Sequence, residues 1–257
     1  MTLYKYLPLC RRHWPKSSVM PVFRLSQHEV AFPAPHLAEP SGLLAVGGAL
    51  TPEWLVLAYQ HGIFPWFEHD DDFYWYSLDP RCVLFPDELK VHKSMRSIFN
   101  QGKFEYSLDT AFERVIRSCS GASRPDQDGT WISDAFIQGY IDLHRAGLAH
   151  SVEVWQNGEL VGGLYGIALG KVFSGESMFA LVPNASKAGF IRLVQALRNT
   201  GYTLIDCQQV TEHLISLGAR TIPRDAFLEH LAANRFERTM AGKWSFAPDG
   251  TMECTPV

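Results

Sequence analysis

Between Ser151 and Cys207 the chain reads as three strands in succession, a capped helix and a fourth strand, and this order restricts the fold more than any other stretch. Ser151 to Trp155 alternates as a strand, and Asn157-Gly158 is the strongest short hairpin signal. Strands from Leu160 to Leu169 and from Lys171 to Phe179 follow, joined at Gly170. Ser186 is placed to cap a helix running to about Arg198, and Thr203 to Cys207 forms the next strand. Short helices at Glu212 to Leu217 and Pro223 to Ala232 complete the region. The class is α+β, with helices around a central, mostly antiparallel sheet.

That order of elements matches the second half of an N-acetyltransferase-like (GNAT) fold, which carries no function alone. Upstream, Leu89 to Phe99 looks helical, Asp109 or Thr110 is available to cap a helix through Ile116, and Ser133-Asp134 opens another that Gly147 ends. Residues 20–80 differ in composition, being rich in Pro, Gly and aromatics. One helix starts there at Thr51-Pro52-Glu53, an N-cap followed by proline at the first helical position. Trp54, Leu55, Leu57, Ala58 and Tyr59 supply its apolar stripe. The expected organisation is a disordered extension over residues 1–19, a small N-terminal domain over 20–80 and a GNAT-like catalytic domain over 81–257.

Composition removes several classes of function. Hydrophobic residues are 46% and charged residues 19% of the 257, enough apolar material for a sizeable core. A net charge of −4 excludes a general nucleic-acid coat held by bulk positive charge, although a local basic patch remains open. The apolar run from Gly42 to Leu50 is far below the roughly 20 residues a membrane span needs. Five cysteines without a C-x-x-C argue against a disulfide framework or zinc site and fit a reducing cytoplasm. Neither a metal nor a cofactor is expected.

A few polar or aromatic residues stand where the pattern does not require them. Trp66 and Trp131 lie at turns beside Pro65 and Gly129, where an indole face can stack on a base or serve interlobe packing. Glu176 sits in an otherwise apolar strand, so it meets a fixed Arg or Lys or awaits a cationic ligand. Asp206 and Gln208 are two apart and share one side of a strand, as a functional pair or a polar strand end. Alternation sends Cys207 to the opposite face, into the core. Asn184-Ala185-Ser186-Lys187 is an ordinary helix cap or an anion site at a helix start. Lys90, His92, Lys93 and Arg96 form a positive helix face, merely solvated or in contact with phosphates.

Together these segments resemble the leucyl/phenylalanyl-tRNA–protein transferase family over about Phe23 to Leu231. The resemblance rests on Gly42-Leu43-Leu44-Ala45-Val46-Gly47-Gly48, His61-Gly62-Ile63-Phe64-Pro65-Trp66-Phe67, Gly129-Thr130-Trp131-Ile132 and His150-Ser151-Val152-Glu153-Val154-Trp155. It continues through Gly175-Glu176-Ser177-Met178-Phe179, Asn184-Ala185-Ser186-Lys187 and Ile205-Asp206-Cys207-Gln208. It implies an aminoacyltransferase that moves Leu or Phe, less well Met, from aminoacyl-tRNA to an N-terminal Arg or Lys of proteins entering the N-degron degradation pathway. It also implies that Trp66 and Trp131 stack on the 3′-terminal adenosine, and that Leu164, Phe173, Met178, Phe190 and Ile205 receive the amino-acid side chain. Asp206, Gln208 and Glu176 take the catalytic positions, Tyr140, Asn184 and Ser186 supporting ones, and Lys90, Lys93 and Arg96 the tRNA phosphates. The expected partners are Leu-tRNA, Phe-tRNA and the acceptor proteins, with no membrane; the expected state is a cytoplasmic monomer. In this reading Asp206 orients Gln208, which positions the attacking amine, while Glu176 draws the acceptor's basic side chain. Three other readings are an acyl-CoA N-acyltransferase, a tRNA-dependent ligase acting on a cell-wall peptide, and a non-catalytic tRNA-binding module. Against the first, Ala180 to Ser186 lacks the glycines a pyrophosphate loop needs.

Overall fold

The computed structural model describes residues 22–121 and 132–256. The N-terminal part runs β1 (Phe23–Leu25), β2 (Leu43–Gly47), α1 (Pro52–Gln60), β3 (Phe64–His69) and β4 (Asp72–Tyr76). Then come β5 (Arg81–Leu84), α2 (Lys93–Asn100), β6 (Glu105–Leu108), α3 (Phe112–Gly121), α4 (Asp134–Arg145), β7 (Ala149–Gln156) and β8 (Glu159–Leu169). The chain continues through β9 (Val172–Ala180), α5 (Ala185–Asn199), β10 (Leu204–Gln208), α6 (Glu212–Ser216), β11 (Arg220–Ile222) and α7 (Arg224–Asn234). A last hairpin is formed by β12 (Lys243–Phe246) and β13 (Met252–Thr255).

The larger sheet has seven strands in the order β11-β5-β10-β9-β8-β7-β6. All its pairs are antiparallel except β9 with β10, which meet through the α5 crossover. The run from β7 to β10 thus follows the order read from the sequence, with Asn157 and Gly158 at φ 53° and 79° turning the hairpin. The parallel contact is short. It pairs Leu204 with Val172, Ile205 with Phe173 and Asp206 with Ser174, and goes no further. Beyond Ser174, β9 continues bonded only to β8, so a gap opens between β9 and β10.

The smaller sheet, β1-β2-β4-β3, takes in residues that the sequence left without strands. Its core is not its own. Trp54, Ile63 and Trp75 are buried in one cluster with Phe112, Phe136, Tyr140 and Tyr165 from the larger part. Burial of each such side chain stabilises by about 1.5–3 kcal/mol, so this shared cluster holds the two parts together. A second cluster fills the other face of the large sheet beneath α5 and reaches Trp244 of the last hairpin.

Three helix starts differ from expectation, and at α2 and α3 a tertiary partner replaces the local cap. α2 begins at Lys93, since Pro86 to Glu88 forms a 3-10 turn and Lys90 N–H bonds Leu217 O across to the end of α6. Neither Asp109 nor Thr110 caps α3 with its side chain. Asp109 accepts from His150 Nδ1, Ser151 N–H and Trp244 N–H, and Thr110 Oγ1 donates to Glu153. The N–H groups of Thr110 and Ala111 go instead to the fully buried carboxylate of Glu153. The N-cap of α5 is Asn184 at φ 72°, with Ser186 inside the first turn. By contrast Ser133 caps α4 as expected, accepting from Phe136 N–H. Trp131 and the expected extension over residues 1–19 fall outside the described residues. The cysteines among those residues are free thiols, and no described helix is long and apolar enough to cross a membrane.

Candidate active site

The gap between β9 and β10 is a cavity of about 420 Å³. Leu164, Met178, Phe190 and Ile205 give it an apolar side, while Glu176, Ser177, Ser186, Gln208, Gln209 and Thr211 give it a polar one. Four of the five side-chain-pocket residues read from the sequence therefore line it. The exception is Phe173, which is 1% exposed and packs in the layer beneath with Phe190 and Trp244. Phe173 pairs with Ile205 where the two strands are still bonded, before they part, and so supports the floor of the slot.

Gln208 and Glu176 face one another across the mouth. Gln208 Nε2 donates to Glu176 Oε1 at 3.0 Å, and Tyr140 OH donates to Oε2 at 2.8 Å. Tyr140 in turn shares a 2.7 Å hydrogen bond with Tyr59 OH. Glu176 is thus held by neutral donors, and among the described residues no Arg or Lys pairs with it. Burial pushes its carboxyl up to about 7; the Asp206 charge adds to the rise, and hydrogen bonds from Tyr59, Tyr140 and Gln208 oppose it. A carboxyl poised there exchanges protons near neutrality, as a general base must.

Asp206 does not contact the side-chain amide of Gln208, which goes to Glu176. The Asp206 carboxylate is 1% exposed and closed by Arg81, Nε to Oδ1 and Nη2 to Oδ2, both at 2.7 Å. Its contact with Gln208 is to the main chain, Gln208 N–H to Oδ1 at 3.0 Å. A bulge between Asp206 and Gln208 explains the difference. It puts Gln208 at φ 53° and breaks the alternation. Cys207 packs against the core cluster beside Cys82, as alternation required, and also joins the cavity wall.

Trp66 is half-buried in β3, edge-on to Tyr76 at 4.7 Å and tilted against Phe64 at 6.0 Å. It is not a wall of the cavity. Asn184 is exposed and also outside the lining, whereas Ser186 is within it. Lys90, Lys93 and Arg96 are exposed, but Lys90 precedes α2, so the expected single helix face becomes a strap followed by a short helix of about two turns.

Sequence reasoning missed Tyr59, Arg81 and His213. In the sequence Tyr59 stands out only as part of a helix stripe. The signal for Arg81 was a lone cation at the head of the apolar run Arg81-Cys82-Val83-Leu84. His213 lines the cavity with an enclosed Nε2 that has no hydrogen-bond partner among the described residues, and burial, aided by Lys187, lowers its pKa.

A mixed sheet that splays at its one parallel pair, with an apolar slot ending at a paired amide and carboxyl, is an α+β architecture with a cleft of the kind that serves enzymes as an active site. Residues 83–232 match the family model described as leucyl/phenylalanyl-tRNA protein transferase, and residues 48–79 match that of its N-terminal domain. A leucyl/phenylalanyl-tRNA–protein transferase of Anaeromyxobacter sp. (strain K) is 52% identical over 231 residues, covering 90% of this chain and 99% of that one. One from Myxococcus xanthus (strain DK1622) is 51% identical over 227 residues, covering 88% and 97%. The chain belongs to the leucyl/phenylalanyl-tRNA–protein transferase family, and is thus an aminoacyltransferase. Solved structures resemble it only loosely. L-PGS from Bacillus licheniformis has a TM-score of 0.36 at 16% identity, covering 65% of this chain and 53% of that one. A GCN5-related N-acetyltransferase from Kribbella flavida has a TM-score of 0.37 at 12% identity, covering 66% and 60%.

Proposed function

We propose that this protein transfers Leu or Phe, and less well Met, from aminoacyl-tRNA to the N-terminal Arg or Lys of acceptor proteins. It acts as a cytoplasmic monomer and commits those proteins to the N-degron pathway. The observation that carries the reading is the apolar slot of Leu164, Met178, Phe190 and Ile205 ending at the Gln208–Glu176 hydrogen bond. A side chain unbranched at Cβ fits such a slot, and one methylene distinguishes competitors by about 1–3 kcal/mol.

The aminoacyl ester arrives activated, so the protein has to orient and to move protons. With its NH₂ given to Glu176, Gln208 presents its carbonyl oxygen to an N–H of the attacking α-amine. The amine nitrogen forms a bond to the ester carbonyl carbon, the bond to the ribose oxygen breaks, and no net proton is consumed. Ionised Glu176 takes the proton that the nitrogen sheds, and the departing ribose oxygen recovers one. Positioning alone is worth roughly 7–11 kcal/mol. Trp66 and Trp131 stack on the terminal adenosine; Asn184 and Ser186 support the loaded end; Lys90, Lys93 and Arg96 meet phosphates. Residues 20–80 form the small N-terminal domain, which carries Trp66, and residues 81–257 the catalytic domain, which carries Trp131.

The test is transfer of radiolabelled Phe, Leu, Met and Val from their tRNAs to Arg- and Lys-initiated peptides. Expected is transfer of Phe and Leu, weaker transfer of Met and none of Val; binding of aminoacyl-tRNA without transfer to any acceptor would overturn the reading.

A further inference from the structure

We infer that Arg81 is a positioning residue for the transfer step, holding Gln208 in register with the strand that carries Trp66. The inference rests on the proposed role of Gln208. Arg81 is fully buried at the head of β5, and its guanidinium is committed on every side. Two of its nitrogens grip both oxygens of Asp206 at 2.7 Å, a planar fork that only arginine provides. Nη1 reaches Gly62 O at 3.3 Å, in the turn that leads into β3. Its two faces are covered by Phe64 of β3 and Phe227 of α7, each with the guanidinium carbon 4.7 Å from the ring centre.

One end of this clamp touches the cavity, and the other touches the strand that carries Trp66. Asp206 Oδ1, fixed by Arg81, accepts the N–H of Gln208 at 3.0 Å. That bond pins Gln208 in the left-handed conformation from which its amide meets Glu176. At the other end, Phe64 lies two residues before Trp66 and packs against its indole. Arg81 thus joins the N-terminal sheet to the bulged end of β10, across the junction of the two parts. A salt bridge serving stability alone would need neither the Gln208 N–H nor the contacts with β3.

A mutant cycle on the full chain tests this, with Phe transferred from Phe-tRNA to an Arg-initiated peptide. Arg81→Lys keeps the charge but loses the fork. Expected is a fall in kcat of tenfold or more with KM for Phe-tRNA changed less than threefold. Asp206→Asn behaves alike, and the double variant is no worse than the poorer single one. A kcat for Arg81→Lys within twofold of the parent, or effects that multiply in the double variant, overturns the inference. Should Arg81→Lys not fold, Phe227→Leu frees one face of the guanidinium from an element outside the site. It then lowers kcat three- to tenfold at constant KM, and an unchanged kcat overturns the inference. A parent chain that transfers nothing brings down the functional reading and this role together. Transfer unaltered in Arg81→Lys brings down the role of Arg81 alone.

Discussion

Gln208 gives its side-chain amide to Glu176 at 3.0 Å, so the two polar groups at the mouth of the slot form one unit drawn from strands that have already parted. Asp206 stands behind this pair as part of an ion pair with Arg81. In the proposed mechanism, proton transfer is therefore assigned to Glu176.

The rate of transfer follows from that assignment. Glu176 accepts a proton only when ionised, so kcat rises with pH through about 7, where its carboxyl titrates. The acceptor α-amine adds a second rise near 7.7–8.0. Glu176→Gln should lower kcat about a hundredfold and remove the lower limb while keeping the upper one. A pH–rate profile of parent and variant under single turnover checks it.

The same group makes stability pH-dependent. The folded-state pKa is raised above the ordinary 4.5, so the folded protein binds this proton more tightly than the unfolded chain does. No penalty exists below pH 4.5; it accrues as pH rises toward 7 and is complete above it. A tenfold change in proton affinity is worth about 1.4 kcal/mol, giving a penalty on the order of 3 kcal/mol. Glu176→Gln should thus gain stability over the parent at pH 8 but not at pH 4, read by urea unfolding at both.

Trp66→Ala should raise KM for Phe-tRNA roughly five- to a hundredfold, matching about 1–3 kcal/mol for one stacked base. Steady-state kinetics at saturating acceptor measures it, and an unchanged KM removes Trp66 from the adenosine site.

Phe190 closes one side of the slot. Phe190→Ala should reduce the ratio of kcat/KM for Leu-tRNA over Val-tRNA about tenfold, since a looser wall no longer resolves one methylene. Competition between the two tRNAs in one reaction reads the ratio directly.

Glu153 is fully buried and takes hydrogen bonds from Ser107 Oγ, Thr110 Oγ1, Ser151 Oγ and the N–H groups of Thr110 and Ala111. Glu153→Ala strands those donors and uncaps α3, at a cost of about 3 kcal/mol or more. A fall of about 10 °C in Tm is expected by calorimetry.

Which of these relationships the linear sequence reveals depends on their range along the chain. Asn157-Gly158, Ser133 and the Thr51-Pro52 start are local signals: the first turns the hairpin, the second caps α4, and α1 starts at Pro52 although the Thr51 hydroxyl donates to Glu53 instead of capping it. Glu176 and Gln208 attracted notice as polar groups in apolar strands, but their bond spans 32 positions and no periodicity encodes it. Arg81 and Asp206 lie 125 apart, and the motif around Glu153 gave no hint that its carboxylate caps a distant helix.

By itself, then, the sequence determined the element order from β7 to β10 and the family, and through that resemblance four of the five slot residues. These depend on alternation, turn chemistry and residue identity, all carried within a few positions. Only the tertiary structure decided that Asp206 serves Arg81 and that Cys207 joins the wall. A single bulge rotates the end of β10 against its own alternation, and hydrogen-bond partners are set by distance in space.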